Sequence, residues 1–322
     1  MAQFAEMQEK LRETAASLLA DGTVRLVIGY RTGTDAYRVA PVFVEQAEDA
    51  DQLVLNPLCK LNLTNYLPSA DGKVAVVAKG CDARSLNVLI REKQVKRENL
   101  HVLGVPCTGI VDFSKLSQLA GLDLGEFQGI TRTGDEFIVQ AGSEVRAQAS
   151  ELLRPECLSC VAPTPVVADV MLGPEVRPPE PRADASALAQ LDLAVRADFF
   201  ARAFERCLRC YACVAACPLC YCTVCFAQQT NPQWVPRTHG LHENGMFHLG
   251  RAMHLAGRCV DCGTCDSVCP VQIPLRELNS RMAEEARQLF GYTAGMDPDE
   301  LPPFITFRPD DTEEAIDGAR SP

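Results

Sequence analysis

Two cysteine runs carry the clearest chemistry in this chain. Both have the spacing C-x2-C-x2-C-x3-C-P, the first from Cys207 to Pro218 and the second from Cys259 to Pro270. Such a run can surround a [4Fe–4S] cubane, and in two-cluster proteins the fourth cysteine of each run binds the other cluster. Disulfides or a zinc ribbon explain the doubled run and its prolines poorly. The spacing therefore predicts two clusters, one held by Cys207, Cys210, Cys213 and Cys269 and the other by Cys259, Cys262, Cys265 and Cys217.

Five more cysteines lie in the same half of the chain. Cys157 and Cys160 form a C-x2-C pair ahead of the first run, and three others follow that run at once: Cys220, Cys222 and Cys225. The first pair together with two of the latter three would supply four ligands, which predicts a third [4Fe–4S] cluster extending the electron path. Zinc stays open as the alternative, because a C-x2-C pair facing Cys222 and Cys225 is also the spacing of a zinc ribbon.

The last three cysteines each follow a predicted strand. They are Cys59, Cys81 and Cys107. Because the carboxyl ends of parallel strands meet in one crevice, these thiols are expected to converge on a cofactor site or on a further cluster with a borrowed ligand. Asp82 and Arg84 open the helix after Cys81, where free N–H groups and the guanidinium could bind a phosphate. The alternative is that the cysteines are small buried side chains and that Asp82 is a helix cap.

Hydrophobic periodicity predicts an α/β N-terminal domain with a mostly parallel sheet. The pattern gives an amphipathic helix over 1–20, buried strands at 73–78 and 100–105, a helix over 84–95 between them, and further strands at 24–30, 37–44 and 52–55. Strand, helix and strand at this spacing form a βαβ unit. Thr133-Gly-Asp-Glu136 predicts a hairpin that closes the domain.

The composition of the second half predicts a connector and a smaller helical domain. Seven prolines between Pro155 and Pro181 favour an extended segment. Helices are predicted over 188–203, 243–256 and 275–289, with His248 and His254 in packing roles. The predicted organisation is an α/β domain over 1–150, a connector with its cysteine pair over 151–186, an α-helical dicluster ferredoxin-like domain over 187–292, and an acidic tail over 293–322.

Charge and composition exclude several classes of function. The 322 residues carry a net charge of −11 and no basic stripe, which argues against a nucleic-acid partner. The longest uncharged stretch, 210–236, contains six cysteines and three prolines, so no membrane span is expected. The first residues lack the pattern of an export signal, so the sixteen cysteines are expected to be metal ligands in a reducing cytoplasm.

The chain resembles the beta-subunit family of hydrogenases and dehydrogenases of the deazaflavin coenzyme F-420, particularly the beta subunits of formate dehydrogenases. The resemblance rests on Lys79-Gly-Cys-Asp-Ala-Arg-Ser-Leu86, on Gly104-Val-Pro-Cys107 and on the cysteine-rich second half. It implies iron–sulfur clusters, in many members a flavin (FAD or FMN), and electron transfer between a catalytic subunit and a second carrier. It also implies a formate dehydrogenase or hydrogenase subunit as partner, with heterodisulfide-reductase-like subunits as further candidates.

These observations predict an iron–sulfur electron-transfer subunit of an anaerobic oxidoreductase complex. Thirteen cysteines crowd into the connector and the C-terminal part, and no acid–base or nucleophilic constellation accompanies them. Two alternatives stay open. One is a flavin-dependent oxidoreductase acting directly on a nicotinamide or deazaflavin coenzyme, although no G-x-G-x-x-G motif marks a Rossmann site. The other is a scaffold whose metal centres only hold a partner-binding platform together.

Overall fold

Two β-sheets organise the N-terminal half of the chain. The computed structural model describes residues 2–180 and 187–305. The strands are β1 Leu26–Thr32, β2 Val39–Val44, β3 Val74–Ala78, β4 Leu100–Gly104, β5 Phe127–Thr133, β6 Glu136–Ala141, β7 Ser143–Gln148 and β8 Val170–Met171. One sheet has five strands in the order β2-β1-β3-β4-β8, and the other is a three-stranded β5-β6-β7 meander. In the first sheet β2 pairs antiparallel with β1, and the other pairings are parallel.

Helices cover the large sheet and make up most of the second half. They are α1 Ala2–Ala20, α2 Gly80–Arg91, α3 Phe113–Leu116, α4 Ala149–Leu152, α5 Pro155–Leu158, α6 Leu193–Glu205, α7 Ala212–Ala215, α8 Leu241–Leu255, α9 Thr264–Ser267 and α10 Leu275–Phe290. Within the described residues, no helix is long and apolar enough to cross a bilayer. The predicted combination of a mixed α/β N-terminal region, rich in parallel strands, and a C-terminal helical region is confirmed.

The predicted βαβ unit is the centre of the large sheet. All five residues of β3 are buried, and its register with β4 runs from Val74 opposite Leu100 to Ala78 opposite Gly104. Helix α2 begins four residues before the predicted start at residue 84, because the Asp82 carboxylate accepts the Lys79 backbone N–H and caps the helix. Helix α1 buries its apolar face on the same core, as predicted.

The predicted strand over 52–55 is wrong. A 3-10 helix, Ala47–Gln52, occupies the preceding residues, and the chain then makes a backbone hydrogen bond to β1, from the Val54 N–H to the Tyr30 carbonyl at 2.8 Å, without forming a strand. Leu53 and Leu55 are nevertheless buried, and a Cβ on Gly29 of β1 would meet the Leu53 side chain at 2.4 Å. The apolar pattern therefore indicates that this segment is buried against the sheet, and not that it forms one of the strands.

The predicted hairpin is confirmed and is extended by a third strand. β5 and β6 pair antiparallel with Thr133 opposite Glu136, and Gly134 takes the left-handed φ of +60° that the tight turn requires. β7 then pairs with β6 and completes the small sheet. Phe137 and Val139 of β6 are fully buried in a core separate from that of the large sheet.

The proline-rich connector contains more regular structure than its composition predicted. It opens with the short helix α5, which begins at Pro155, a position where proline fits a helix. It later contributes β8 to the edge of the large sheet, with Leu103 opposite Val170. Its last residues, 181–186, and residues 306–322 of the predicted acidic tail lie outside the described part of the chain.

The helical region buries its apolar face unevenly. The face predicted to pack from residue 188 to 203 is buried only at its end: Ala203 is 3% exposed, whereas Val195 is 48% exposed. Further along, α8 packs against both α6 and α10. The short helices α7 and α9, each four residues long, begin directly inside the two cysteine runs.

Helix α2 joins the two regions through buried polar contacts. The Arg84 guanidinium donates to the Ala294 carbonyl at 2.9 Å and to the Val260 carbonyl at 3.1 Å, and the Asn87 amide donates to the Gly295 carbonyl at 3.0 Å. At the end of the helix, the buried Glu92 carboxylate accepts a bond of 2.6 Å from Arg258. The cluster-bearing region is therefore fixed to the α/β region by specific bonds.

Replacing Arg84 by methionine is expected to destabilise the chain by about 3 kcal/mol, because two buried carbonyls lose a charged donor. The apolar stem would remain packed. Urea unfolding of the Arg84→Met variant measures the change, with Arg25→Met, an exposed arginine, as the matched control. Equal midpoints for the two variants would show that these contacts contribute little to stability.

Candidate iron–sulfur site

One small cavity brings together the four cysteines predicted for the first cluster. Its wall contains Cys207, Cys210, Cys213 and Cys269 beside apolar side chains of Phe247, Ile273 and Leu275. Backbone N–H groups point at two of the sulfurs: that of Arg209 lies 3.4 Å from the Cys207 Sγ, and that of Ile273 lies 3.3 Å from the Cys269 Sγ. Arg209 and Tyr211 take left-handed φ values of 49° and 59°, which turn the loop around the cavity.

A second cavity repeats this arrangement with the other run. Its wall contains Cys259, Cys262 and Cys265 together with Cys217, the fourth cysteine of the first run. The backbone repeats as well, since Asp261 and Gly263 have φ values of 56° and 64° at the positions equivalent to Arg209 and Tyr211. Left-handed φ is uncommon for residues other than glycine, so its recurrence at Asp261 marks a shared loop geometry.

Both cavities fit a [4Fe–4S] cubane in donor set and surroundings. Each offers four thiols, and apolar walls exclude water, which is the shell that iron–sulfur clusters require. Burial raises the pKa of Cys213 to about 11 and also raises the pKa of Cys262. These thiols therefore become thiolates only beside a compensating cation, and iron supplies that charge. The assignment of individual ligands stays a prediction.

A larger cavity of about 470 Å³ lies between the two regions. It opens where β3 and β4 end, and five cysteines line it: Cys81, Cys107, Cys157 and Cys160, with Cys262 of the second run. Burial raises the pKa of each of these thiols. The Cys157 Sγ accepts the Ile110 N–H at 3.3 Å, and the Cys107 N–H donates to the Pro163 carbonyl at 2.9 Å. The strand ends and the connector thus meet around this group of thiols.

A glycine allows the connector to come this close. A Cβ on Gly80, the first residue of α2, would stand 1.6 Å from the Ala162 carbonyl oxygen. No other residue type fits there, so the segment that follows Cys160 lies directly against the start of the helix that carries Cys81.

The connector pair lies beside other cysteines than the predicted ones, and the ligands of a third cluster stay a prediction. The structure places Cys157 and Cys160 against Cys81 and Cys107, not with the cysteines that follow the first run. Of those, Cys220 lies beside Cys217, and a hydrogen bond between the two lowers the pKa of Cys220. Cys222 is exposed, and Cys225 packs at the edge of the core around the first cavity.

Zinc at the extra cysteines stays an open alternative. In the described ranges, 2–180 and 187–305, no group of three or more His, Cys, Asp or Glu side chains is arranged to hold a metal ion. A single zinc needs its sulfurs at about 2.3 Å, whereas a cubane spreads its four thiolates over four iron corners.

The other predicted cofactor residues have structural partners. Cys59 is 3% exposed, its thiol contacts the Val54 carbonyl, and burial raises its pKa to about 12. Cys59 is not among the residues of the large cavity. Asp82 faces the cavity but is the helix cap, and the Arg84 guanidinium binds carbonyls of the cluster region. Two nitrogens of Arg84 are therefore already engaged, and the phosphate site at this helix start stays a prediction.

A buried lysine in the cavity wall was not predicted from the sequence. Lys79 is 4% exposed and its ammonium lies 2.8 Å from the Asp82 carboxylate, with further bonds to the Tyr30 hydroxyl and the Leu61 carbonyl. Burial lowers the pKa of Lys79, but the charges of Asp82, Tyr30 and Cys81 and the hydrogen bond to Asp82 together raise that pKa overall. Lys79 is the first residue of the Lys79–Leu86 motif. Its i to i+3 spacing from Asp82 was the feature of the sequence that could have predicted this ion pair.

Two residues of α8 contact the cysteine runs in ways that were not predicted. His248 is packed, as expected, at 2% exposure, and its Nε2 lies 3.2 Å from the Cys207 Sγ. Arg251, for which no role was predicted, lines the second cavity and donates to the Cys213 carbonyl at 3.0 Å. Their spacing on a helix between two cysteine runs was the only signal in the sequence.

Comparison with known proteins covers most of the chain. Residues 71–184 match the family model for the C terminus of the beta subunit of coenzyme F420 hydrogenase/dehydrogenase, and residues 205–274 match a 4Fe-4S dicluster domain. The F420-dependent formate dehydrogenase subunit beta of Methanocaldococcus jannaschii is 25% identical over 89% of this chain and 90% of its own length. The F420-dependent formate dehydrogenase 1 subunit beta of Methanococcus maripaludis is 23% identical over the same shares.

Among solved structures, a chain of the F420-reducing [NiFe] hydrogenase complex from Methanosarcina barkeri gives a TM-score of 0.40 at 16% identity. The match covers 49% of this chain and 62% of that chain, which is less than two thirds of its length. The predicted family resemblance and the dicluster domain are confirmed by the family matches and by the two formate dehydrogenase beta subunits.

Proposed function

We propose that this chain is an iron–sulfur electron-transfer subunit. It carries a domain of the coenzyme F420 hydrogenase/dehydrogenase beta-subunit family, followed by a 4Fe-4S dicluster domain. It relays electrons between a catalytic oxidoreductase subunit and a second carrier or complex. The observation that carries the proposal is the grouping of the doubled cysteine run into two cavities with four thiols each. When bound there, [4Fe–4S] clusters accept and donate single electrons.

The third cysteine set extends this relay into the α/β region. We assign Cys81, Cys107, Cys157 and Cys160 as the ligands of a third [4Fe–4S] cluster. Cys262 supports the continuity of the path, because it lines both the large cavity and the second four-cysteine cavity. The large cavity and the second four-cysteine cavity therefore adjoin at Cys262.

The opposite end of the path lies at the surface. Cys210, in the first cavity, is exposed, and the neighbouring Leu208 is 54% exposed. A partner that docks over Leu208 would come close to this cysteine set. The proposed order is thus the large cavity at one end, the second cysteine cavity in the middle, and the first at the exit.

The proposed partner is a catalytic subunit of the formate dehydrogenase or hydrogenase type, by analogy with the two formate dehydrogenase beta subunits. A heterodisulfide-reductase-like assembly is the proposed second partner. A reducing cytoplasmic compartment belongs to the same proposal, since free thiols and iron–sulfur chemistry persist there.

A second candidate function rests on the large cavity itself. A volume of about 470 Å³ beside five thiols, with Lys60, Arg132 and Arg177 in its wall, is compatible with FAD or FMN and with an anionic coenzyme. In that case the chain would act as a flavin-dependent oxidoreductase on a nicotinamide or deazaflavin coenzyme, and the clusters would accept electrons from the flavin.

The relay predicts that the partner's substrate reduces the clusters of this chain. The full chain is affinity-purified anaerobically from its native cells, and formate or hydrogen is added to the complex. The visible iron–sulfur absorption should fall by more than half within seconds of addition. The matched control is the chain purified alone, which should not respond.

Three other results have distinct meanings. Stoichiometric flavin, with reduction by a nicotinamide or deazaflavin coenzyme in the isolated chain, would establish the second candidate. Absorption that stays constant while the complex turns over would leave only a scaffold role. A complex without any redox subunit would contradict the relay.

A further inference from the structure

One buried face of α8 presents three polar side chains to the cysteine runs. Asn244, His248 and Arg251 are spaced i, i+4 and i+7, so they lie on the same side of the helix. The Asn244 amide donates to the Phe204 carbonyl at 2.9 Å and to the Cys207 carbonyl at 3.1 Å, which fixes the start of the first run. His248 contacts the Cys207 sulfur, and Arg251 contacts the Cys213 carbonyl.

Arg251 stands between the two cysteine cavities and is deeply buried. It is 4% exposed, it lines the second cavity, and its guanidinium binds the backbone of Cys213, a member of the first set. Its Nε is buried without a hydrogen-bond partner. The side chain therefore keeps an unused donor next to the space enclosed by the second set.

Among the described residues, Arg251 has no carboxylate partner. Arg84 and Arg209 are also buried without one, whereas Arg154 lies 2.5 Å from the Glu156 carboxylate and Arg276 lies 2.7 Å from that of Asp261. Arg251 differs in its surroundings, because the side chains that act most strongly on its charge are Cys217, Cys220, Cys265 and Cys213. A buried guanidinium without a counter-charge is costly, and an anion in the second cavity would offset that cost.

We propose that Arg251 is a positioning residue that sets the reduction potential of the second cluster and, more weakly, of the first. The inference rests on the proposed function. A cubane held by four thiolates is anionic, and reduction adds one electron without forming or breaking a bond. A fixed cation beside it stabilises the reduced form more than the oxidised form, which raises the potential.

His248 has a narrower role on the same helix. It contacts Cys207 alone among the proposed ligands, and Phe204 stacks on its ring with centroids 4.8 Å apart. With Cys207 as a thiolate, Nε2 is the donor. Arg251 therefore acts on both cysteine sets, and His248 acts on the first set only.

The test is a redox titration of the full chain, purified anaerobically and reduced stepwise with dithionite, with the clusters followed by electron paramagnetic resonance. Arg251→Gln removes the cation and keeps a polar side chain. At the wild-type midpoint of the second cluster, its ratio of reduced to oxidised form is expected to fall at least tenfold, about 59 mV for one electron. Arg251→Lys, which keeps the charge, should change that ratio by less than about threefold.

The control is Arg281→Gln on α10, an exposed arginine paired with Glu285, which causes the same change in net charge. Its titration should match the wild type. Unchanged midpoints in an iron-loaded Arg251→Gln chain would overturn the proposal. If that variant loses iron, Arg251→Lys decides: full iron with wild-type midpoints supports the proposal, whereas lost iron or a tenfold shift shows a structural role only. A wild-type chain that binds no iron would instead refute the proposed function.

Discussion

Replacing Cys157 and Cys160 together by serine is expected to lower the iron content of the anaerobically purified chain from about twelve to about eight per molecule. Acid-labile sulfide should fall in the same proportion. The reason is the position of this pair in the large cavity, where Cys81 and Cys107 are the other two proposed ligands. Serine cannot replace a soft thiolate on iron, so the third cluster is lost as a unit.

The matched variant replaces Cys222 and Cys225 by serine. These two cysteines have the same C-x2-C spacing, but Cys222 is exposed and Cys225 packs beside the first cavity. This chain should keep all of its iron. Loss of about four irons from this variant would restore the pairing that the spacing alone indicated, and retention in both variants would show that no cluster uses either pair.

The position of Cys157 and Cys160 in the fold could not be predicted from the sequence, for a physical reason. A C-x2-C spacing indicates that two thiols can bind the same metal centre, but it carries no information on the other two ligands. The deciding contact is the approach of the Ala162 carbonyl to Gly80, a pair of residues far apart in the chain. By contrast, the two cysteine runs repeat the same local loop, and the four cysteines predicted for each cluster line the same cavity.

The large sheet was readable for a similar reason. Five consecutive buried residues in β3 are a local pattern that follows from burial on both faces of a parallel sheet. The segment around Leu53 has the same apolar character, yet it packs on Gly29 and forms no strand. The hydrophobic pattern predicts burial for both segments, but it does not predict which of them forms a strand.

Helix α8 makes a contact that comparison of its two histidines with each other does not predict. His248 and His254 were considered against each other, and the conclusion that they share no metal follows from their spacing. The contact that matters joins His248 to Cys207, forty-one residues earlier. The charge of Arg251 did not predict its position either, because the side chains that act most strongly on it are cysteines and not carboxylates.

Removal of iron is expected to unfold the helical region while the parallel sheet stays folded. The core of this region is built from the proposed ligands themselves, since Cys207, Cys213, Cys265 and Cys269 pack in it. Helices α7 and α9 have four residues each, too few to persist without the centre that they surround. Metal binding at such sites contributes folding free energy directly.

Hydrogen exchange, measured on the chain before and after anaerobic chelation of iron, separates the two regions. Amides of 207–217 and 259–269 should exchange at least about a hundredfold faster without iron, a loss of about 2.7 kcal/mol of protection. Amides of β3 and β4 should keep their rates, because the core of the large sheet is closed by Leu103, Val76 and Leu86 without any proposed ligand. Equal acceleration in both regions would mean that the bonds from Arg84 and Asn87 couple the regions into one cooperative unit. Unchanged rates in the two cysteine runs would mean that their loops fold without iron, and that the clusters bind to a framework already formed.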